Sequence, residues 1–186
     1  MSRIITVEVE KCLACKTCEL QCAVAHSVAR ELLEASQESP RPQPRVAVMG
    51  AGGMAIPLQC RQCEDAPCVA VCPAGGLHKP DADGPVATNS AVCIGCKQCM
   101  LVCPFGVITL GPAGHAIIKC DLCLERLEQG EQPACVAGCP THALKLTVVE
   151  AVTAQRRQEA AGDIAAALDR NRATLKAAMR YLETES

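Results

Sequence analysis

A chain of 186 residues carries sixteen cysteines beside one Phe, one Tyr and no Trp. Aromatic side chains bury the most area each, so an ordinary apolar core is excluded, and so much cysteine implies either a short secreted disulfide scaffold or a fold built around metal. Formal net charge is −2 with only small basic clusters, which argues against nucleic acid, and no apolar run approaches the roughly 18–20 residues of a membrane span.

In chain order, the opening Met1-Ser2-Arg3-Ile4-Ile5-Thr6-Val7-Glu8 has neither the basic nor the apolar region of a secretory signal, which sets the disulfide scaffold aside. Ile4 to Glu10 alternates apolar and polar residues and predicts a short strand leading into Cys12, Cys15, Cys18 and Cys22. Ser36 to Pro44 holds three prolines and predicts a surface loop. Arg45 to Met49 and Met54 to Leu58 flank Gly50-Ala51-Gly52-Gly53 and predict a hairpin. Next come Cys60, Cys63, Cys68 and Cys72, then Cys93, Cys96, Cys99 and Cys103, a short strand at Val107 to Leu110, then Cys120, Cys123, Cys135 and Cys139, and a strand at Ala143 to Val148. Beyond Glu150 the sequence loses Cys and Pro and predicts a helix, capped by Asp163, with an apolar stripe of Ile164, Leu168, Leu175, Met179 and Leu182. That stripe either packs on its own chain or docks a partner or second copy.

The cysteines form a repeat of four groups with none left over. Groups one and three read C-x2-C-x2-C-x3-C; group two widens the middle gap to four residues and group four to eleven, and Pro73, Pro104 and Pro140 follow the last cysteine of groups two, three and four. Three thiolates in so tight a loop can wrap three corners of a 4Fe-4S cube, but the next cysteine cannot reach the fourth. In the bacterial two-cluster pattern C-x2-C-x2-C-x3-C-P that last cysteine ligates the other cluster. Four groups therefore imply four 4Fe-4S clusters in two cross-braced pairs. Structural zinc needs only two separated C-x2-C pairs and leaves the triplets without a role.

The spacers between groups are 37, 20 and 16 residues. The 20-residue spacer suits one compact two-cluster unit of groups two and three, with groups one and four bracing each other around it; sequential pairing would enclose the 37-residue spacer within a unit. The nested scheme is preferred. It divides the chain into an outer two-cluster ferredoxin-like unit (residues 1–27 with 115–150), an insertion holding the Pro-rich loop and hairpin (28–59), an inner two-cluster unit (60–112) and a C-terminal amphipathic helix (151–186). The expected fold class is α+β, with small antiparallel strands, short helices and the C-terminal helix.

With Pro57-Leu58-Gln59-Cys60-Arg61-Gln62-Cys63, Cys93-Ile94-Gly95-Cys96-Lys97-Gln98-Cys99, Lys119-Cys120-Asp121-Leu122-Cys123 and Cys135-Val136-Ala137-Gly138-Cys139-Pro140, the complete set of sixteen resembles the four-cluster ferredoxin subunits. These are the electron-transfer subunits of dimethyl sulfoxide reductase, formate dehydrogenase, formate hydrogenlyase and related enzymes, and the resemblance runs from about Ile4 to Thr147. The opening from Glu10 through Cys22 to His26 and Ser27 is most similar to the iron-sulfur partner of carbon monoxide dehydrogenase. The resemblance implies cluster one on Cys12, Cys15, Cys18 and Cys139; cluster two on Cys120, Cys123, Cys135 and Cys22; cluster three on Cys60, Cys63, Cys68 and Cys103; and cluster four on Cys93, Cys96, Cys99 and Cys72. In some relatives a replaced ligand leaves a 3Fe-4S centre; here every ligand position is a cysteine.

His26, His78, His115 and His142 have no mutual spacing that makes a site and read as surface or loop residues. Lys11, Lys97 and Lys119 flank cluster cysteines and either place positive charge beside the clusters or are simply solvated. No nucleophile-base pair, phosphate loop or open metal position is present. Fully Cys-ligated clusters leave one-electron transfer as the available chemistry, so the expected role is a non-catalytic electron-transfer subunit. It would work between a catalytic oxidoreductase subunit (carbon monoxide dehydrogenase, a molybdenum or tungsten formate, aldehyde or sulfoxide oxidoreductase, or a hydrogenase) and a second redox subunit or carrier. A freely diffusing polyferredoxin and a zinc-stabilised interaction module are the other readings. At about −2 per oxidised cluster the loaded chain would carry about −10, favouring basic docking patches. Reduced thiols place assembly in the cytoplasm, with export on a partner's twin-arginine signal left open. The charged C-terminal end is not expected to anchor in a membrane.

Overall fold

The computed structural model describes residues 3–81, 84–111 and 117–184, with side chains described as far as residue 172. Its strands are β1 (Arg3–Val7), β2 (Val46–Ala51), β3 (Met54–Gln59), β4 (Leu77–His78), β5 (Ala87–Thr88), β6 (Thr109–Leu110), β7 (Ile117–Ile118) and β8 (Leu144–Val148). The helices are α1 (Thr17–Ala25), α2 (Leu32–Gln37), α3 (Pro67–Ala70), α4 (Gln98–Val102), α5 (Leu124–Glu128), α6 (Ala134–Ala137) and α7 (Val149–Thr184). All four sheets are two-stranded: β1 with β8, β2 with β3, β4 with β5 and β6 with β7. Small sheets and short helices make a mixed α+β architecture of ferredoxin-like type.

The helices are short because cysteine loops interrupt them. α1 begins straight after Lys16 and α4 after Lys97, both in the left-handed region (φ 58° and 65°). α3 begins with Pro67 in its first turn, where a missing N–H costs nothing. The hairpin is formed as expected, with Val46 opposite Gln59 and Ala51 opposite Met54, and Gly52 and Gly53 at φ 57° and 78° supply the positive φ of its turn. The first strand is shorter than its alternation predicts, because a 3-10 turn at Val9–Lys11, closed by Cys12 N–H to Val9 O (3.0 Å), turns the chain into the first cysteine loop. The strand expected at Val107 to Leu110 pairs only at Thr109–Leu110, since the chain is still leaving the Cys103–Gly106 turn. Ser36 and Gln37 belong to the last turn of α2 rather than to the loop that follows.

Two clusters of buried side chains fill the unit of residues 1–147. One gathers Ile5, Cys18, Cys22, Val46, Cys120, Leu122, Cys135 and Leu144, drawing on groups one and four and on the hairpin. The other gathers Ala66, Cys68, Leu77, Val86, Cys99 and Ile108, from groups two and three and the strands after them. In both, cysteine stands where a domain of this size normally places aromatic and branched residues. Residues 148–186 form a second unit, which is α7. Asp163 does not cap it. The helix starts at Val149, 14 residues earlier, because residues 149–161 contain no Gly or Pro and are rich in Ala, Glu, Gln and Arg, and Gly162 lowers helix propensity without ending the helix. Ile164 and Leu168 of the expected stripe are exposed. The side chains of Leu175, Met179 and Leu182 lie outside the described residues.

Within the first unit α1 packs on α6, and Gly138 makes the approach possible: a Cβ there would sit 2.5 Å from Cγ of Gln21 and 3.2 Å from the carbonyl oxygen of Ala134. Gly138→Ala is accordingly expected to destabilise by about 1–3 kcal/mol through overpacking, read as a lower denaturant midpoint for iron loss under anaerobic conditions.

Candidate metal centres

None of the sixteen cysteines is in a disulfide. Their neighbours run across the groups. Cys12, Cys15 and Cys18 of group one line one cavity together with Cys139 of group four. Cys15 lies in the field of Cys139, and Cys18 in that of Cys12. Cys22, the last cysteine of group one, instead neighbours group four: Cys120 and Cys135 both lie in its field, and Cys135 also in that of Cys120 and Cys123. In the other two groups Cys60 and Cys68 lie in the field of Cys103, and Cys60 in that of Cys63. Cys99 lies in the field of Cys96 and of Cys72. Cys93, after a turn closed by its own N–H to Ser90 O (3.3 Å), begins the loop that holds Cys96.

One backbone device recurs in all four loops. The residue immediately before the second cysteine is left-handed: Ala14 at φ 58°, Gln62 at 52°, Gly95 at 68° and Leu122 at 61°. Three of the four are not glycine, and each costs of order 1–2 kcal/mol. N–H groups then point at sulfur: Arg45 N to Cys22 Sγ (3.2 Å), Leu77 N to Cys72 Sγ (3.4 Å) and Leu122 N to Cys120 Sγ (3.5 Å). Thr17 adds its hydroxyl to Cys15 Sγ at 3.4 Å.

Burial dominates the protonation of the inner thiols. It pushes Cys18 up to about 11 and Cys120 up to about 12, and raises Cys60, Cys68, Cys99 and Cys135 as well. Two outer thiols go the other way. The Thr17 hydroxyl lowers Cys15; burial works against the Cys139 thiolate, but N–H groups from Leu144, Thr141 and Ala143 and the Thr141 hydroxyl outweigh it. Thiols that burial holds neutral become thiolates when a metal cation replaces the proton, because the cation supplies what the missing water cannot. An all-thiolate donor set, sixteen strong and arranged in fours, fits iron-sulfur clusters and leaves no donor over.

His26 is not a surface residue. It is half-buried at the end of α1, with Nδ1 2.7 Å from Cys22 O and 3.7 Å from Cys22 Sγ, and Nε2 3.3 Å from Asp121 Oδ1. Burial opposes its charge, yet hydrogen bonds to Asp121, Cys123 and Cys22 outweigh that and push its pKa up to about 12. Asp121 is held well below the usual carboxylate range: burial works against its charge, but His26 and Arg45 prevail, Arg45 through an ion pair to Oδ2. Donor atoms of His26, Asp121 and Cys123 come within 4.8 Å of one another. That trio is a hydrogen-bonded network rather than a further metal site, since Asp121 Oδ1 already accepts from both His26 and the Cys123 N–H (3.0 Å). His78 and His142 are exposed as expected, and His115 lies outside the described residues.

Lys11 and Lys97 are exposed, Lys11 pairing with Glu8. Lys119 is 1% exposed, so the solvated alternative fails for it. Sequence reasoning also missed Gln62, whose Nε2 donates to Cys120 O (2.9 Å) while its Oε1 accepts from Val86 N (2.9 Å), and Gln59, whose Nε2 donates to Ile5 O (3.1 Å). Only their position beside Cys60 and Cys63 hinted at a role.

Four left-handed cysteine loops on small sheets define the class: an iron-sulfur protein of ferredoxin type. Comparison with known families agrees, since residues 53–149 match the 4Fe-4S dicluster domain. An iron-sulfur protein of Rhodospirillum rubrum is 41% identical, covering 87% of this chain and 90% of that one. Electron transport protein HydN of Escherichia coli K12 is 37% identical over 87% of this chain and 98% of its own. A chain of the same organism named "Probable anaerobic dimethyl sulfoxide reductase chain YnfG" is 32% identical over 77% and 72%. The chain belongs to the 4Fe-4S dicluster family of electron-transfer proteins, and the zinc-stabilised module is thereby set aside. No helix among the described residues is long and apolar enough to cross a membrane.

The Asp121 network predicts its own test. Asp121→Ala leaves Arg45 and His26 with no carboxylate between them and is expected to cost about 1–3 kcal/mol, seen as earlier cluster bleaching in a denaturant series; Asp121→Asn, which keeps an acceptor, should lie between that variant and the parent.

Proposed function

We propose that this chain is the non-catalytic wire of an oxidoreductase complex, carrying single electrons between a catalytic subunit and a second redox subunit or carrier. The observation that supports the reading is the neighbourhood of the fourth cysteines: Cys139 lines a cavity with Cys12, Cys15 and Cys18, while Cys22 neighbours Cys135, Cys103 neighbours Cys60, and Cys72 neighbours Cys99. On that basis the ligand sets are Cys12, Cys15, Cys18 and Cys139; Cys120, Cys123, Cys135 and Cys22; Cys60, Cys63, Cys68 and Cys103; and Cys93, Cys96, Cys99 and Cys72. Each set would hold one 4Fe-4S cluster, whose chemistry is reversible one-electron transfer.

The chain's own residues hold, space and insulate. Links between sets support the order one, two, three, four, because Cys135 lies in the field of Cys18, and Cys120 in that of Cys60. The two exposed thiols, Cys15 and Cys96, belong to the first and last sets. Leu13 and Ile94, each in the loop before one of them, are 69% and 68% exposed, which suits two contact points for partner proteins at the two ends of the relay. The relatives named above as an electron transport protein and as a dimethyl sulfoxide reductase chain favour a catalytic oxidoreductase partner over substrate chemistry on this chain. Assembly in the reducing cytoplasm goes with sixteen cysteines outside disulfides.

Two measurements test this. Anaerobic purification through a tag on this chain should yield about 16 Fe per chain, four for each 4Fe-4S cluster, with a stoichiometric large subunit whose second metal names the reaction; full iron without a partner would instead establish a diffusing polyferredoxin. Cys22→Ser and Cys120→Ser should alter the same paramagnetic signal of the reduced protein. If Cys22→Ser acts instead on the signal altered by Cys60→Ser, pairing is sequential and the ligand sets above are wrong.

A further inference from the structure

Lys119 is the one charged side chain buried among the described residues. Its ammonium donates to the carbonyl of Cys120 (2.8 Å), the acceptor that Gln62 also uses. Among the described residues no carboxylate pairs with it. A desolvated ammonium without a counter-ion costs several kcal/mol, so the compensating negative charge must come from what it faces. It faces cysteines: Cys60 and Cys68 both lie in its field, and Cys120 adjoins it in sequence. Cys120 in turn lies in the field of Cys60. Lys119 thus sits where group four meets group two, its ammonium on the Cys120 carbonyl that Gln62, the neighbour of Cys63, also holds.

We propose that Lys119 is the internal counter-charge of the two middle clusters, a buried cation that raises their reduction potentials together. The inference rests on the four-cluster reading and its ligand sets. Each cluster becomes more negative by one charge on reduction, so a nearby fixed positive charge favours the reduced form, and more so where no water screens it than at exposed Lys11 or Lys97. Lys119 touches no substrate and moves no electron; it is a positioning residue whose placement keeps the middle of the relay from becoming an uphill step.

The test is a mediated redox titration of the purified, iron-loaded protein, followed by electron paramagnetic resonance, for the parent, Lys119→Met and Lys119→Arg. Lys119→Met with full iron should make two of the four reduction steps about tenfold less favourable, 59 mV for one electron, and leave the other two in place, and Lys119→Arg should restore them. Four unmoved steps, four steps moved equally, or a Lys119→Arg protein displaced as far as Lys119→Met would overturn the proposal. Where Lys119→Met does not load iron, Lys119→Gln, which keeps a donor without the charge, takes its place. Failure of both neutral variants beside a loaded Lys119→Arg makes the charge itself a condition of assembly and supports the proposal, whereas failure of Lys119→Arg as well assigns Lys119 to packing and ends it. Iron content of the parent judges the four-cluster reading separately, since about 16 Fe with unmoved potentials overturns only the role of Lys119.

Discussion

A thiolate can be buried only against positive charge, and this fold depends on that constraint. The interior of residues 1–147 is lined with cysteines whose burial drives them toward the neutral thiol, Cys120 up to about 12. Without metal, those side chains are small hydrophobes in a core with almost no aromatic residues to fill it. With iron in place the same side chains become bonds, and chain segments far apart in sequence are tied by covalent-strength links. Folding is expected to be coupled to cluster insertion, as it is in small metal-built domains generally.

The pairs of cysteine groups are not merely adjacent. In the proposed ligand sets each lends its last cysteine to the other, so that neither half of a pair would close alone. Protein contacts back up that exchange. Gly138 lets α6 approach α1 closely, and the Arg45 N–H reaches Cys22 Sγ from the start of the hairpin, so the insertion that looks dispensable in sequence supplies Val46 to the first core and a donor to a ligand. Ala14, Gln62 and Leu122, held in a backbone region that side chains disfavour, spend stability to aim the thiols. Such strain persists where the surroundings over-determine the geometry, as four ligands on one inorganic core would.

Charge is managed with the same economy. His26, Asp121 and Arg45 form a network beside Cys22 and Cys123, with Asp121 bonded to both His26 and Arg45 and His26 also against Cys22 Sγ. Lys119 adds a buried cation at the Cys120 carbonyl. Exposed lysines near the first and third loops are screened by solvent and act weakly. A chain of net charge −2 thus concentrates positive groups where reduced clusters would place negative charge.

The cysteine groups, their division into fours, the hairpin around Gly52 and Gly53 and the iron-sulfur chemistry were legible in the sequence, because loop spacing is covalent and the ligand demand of a cube is fixed. The C-terminal helix was legible too, expected beyond Glu150 and found from Val149, although Asp163 does not cap it because its flanking residues favour helix just as strongly. Strand ends at β1 and β6 were not, since cysteine loops, rather than hydrophobic alternation, decide where pairing begins. In one dimension His26 reads as a surface or loop residue, and Lys119 as either a charge beside the clusters or a solvated lysine. Only the tertiary structure decided that one is held against Asp121 and Cys22 and the other sealed between groups two and four, because burial and counter-charge arise from segments some 60 to 95 residues apart meeting in space, as Cys60 meets Cys120 and His26 meets Asp121.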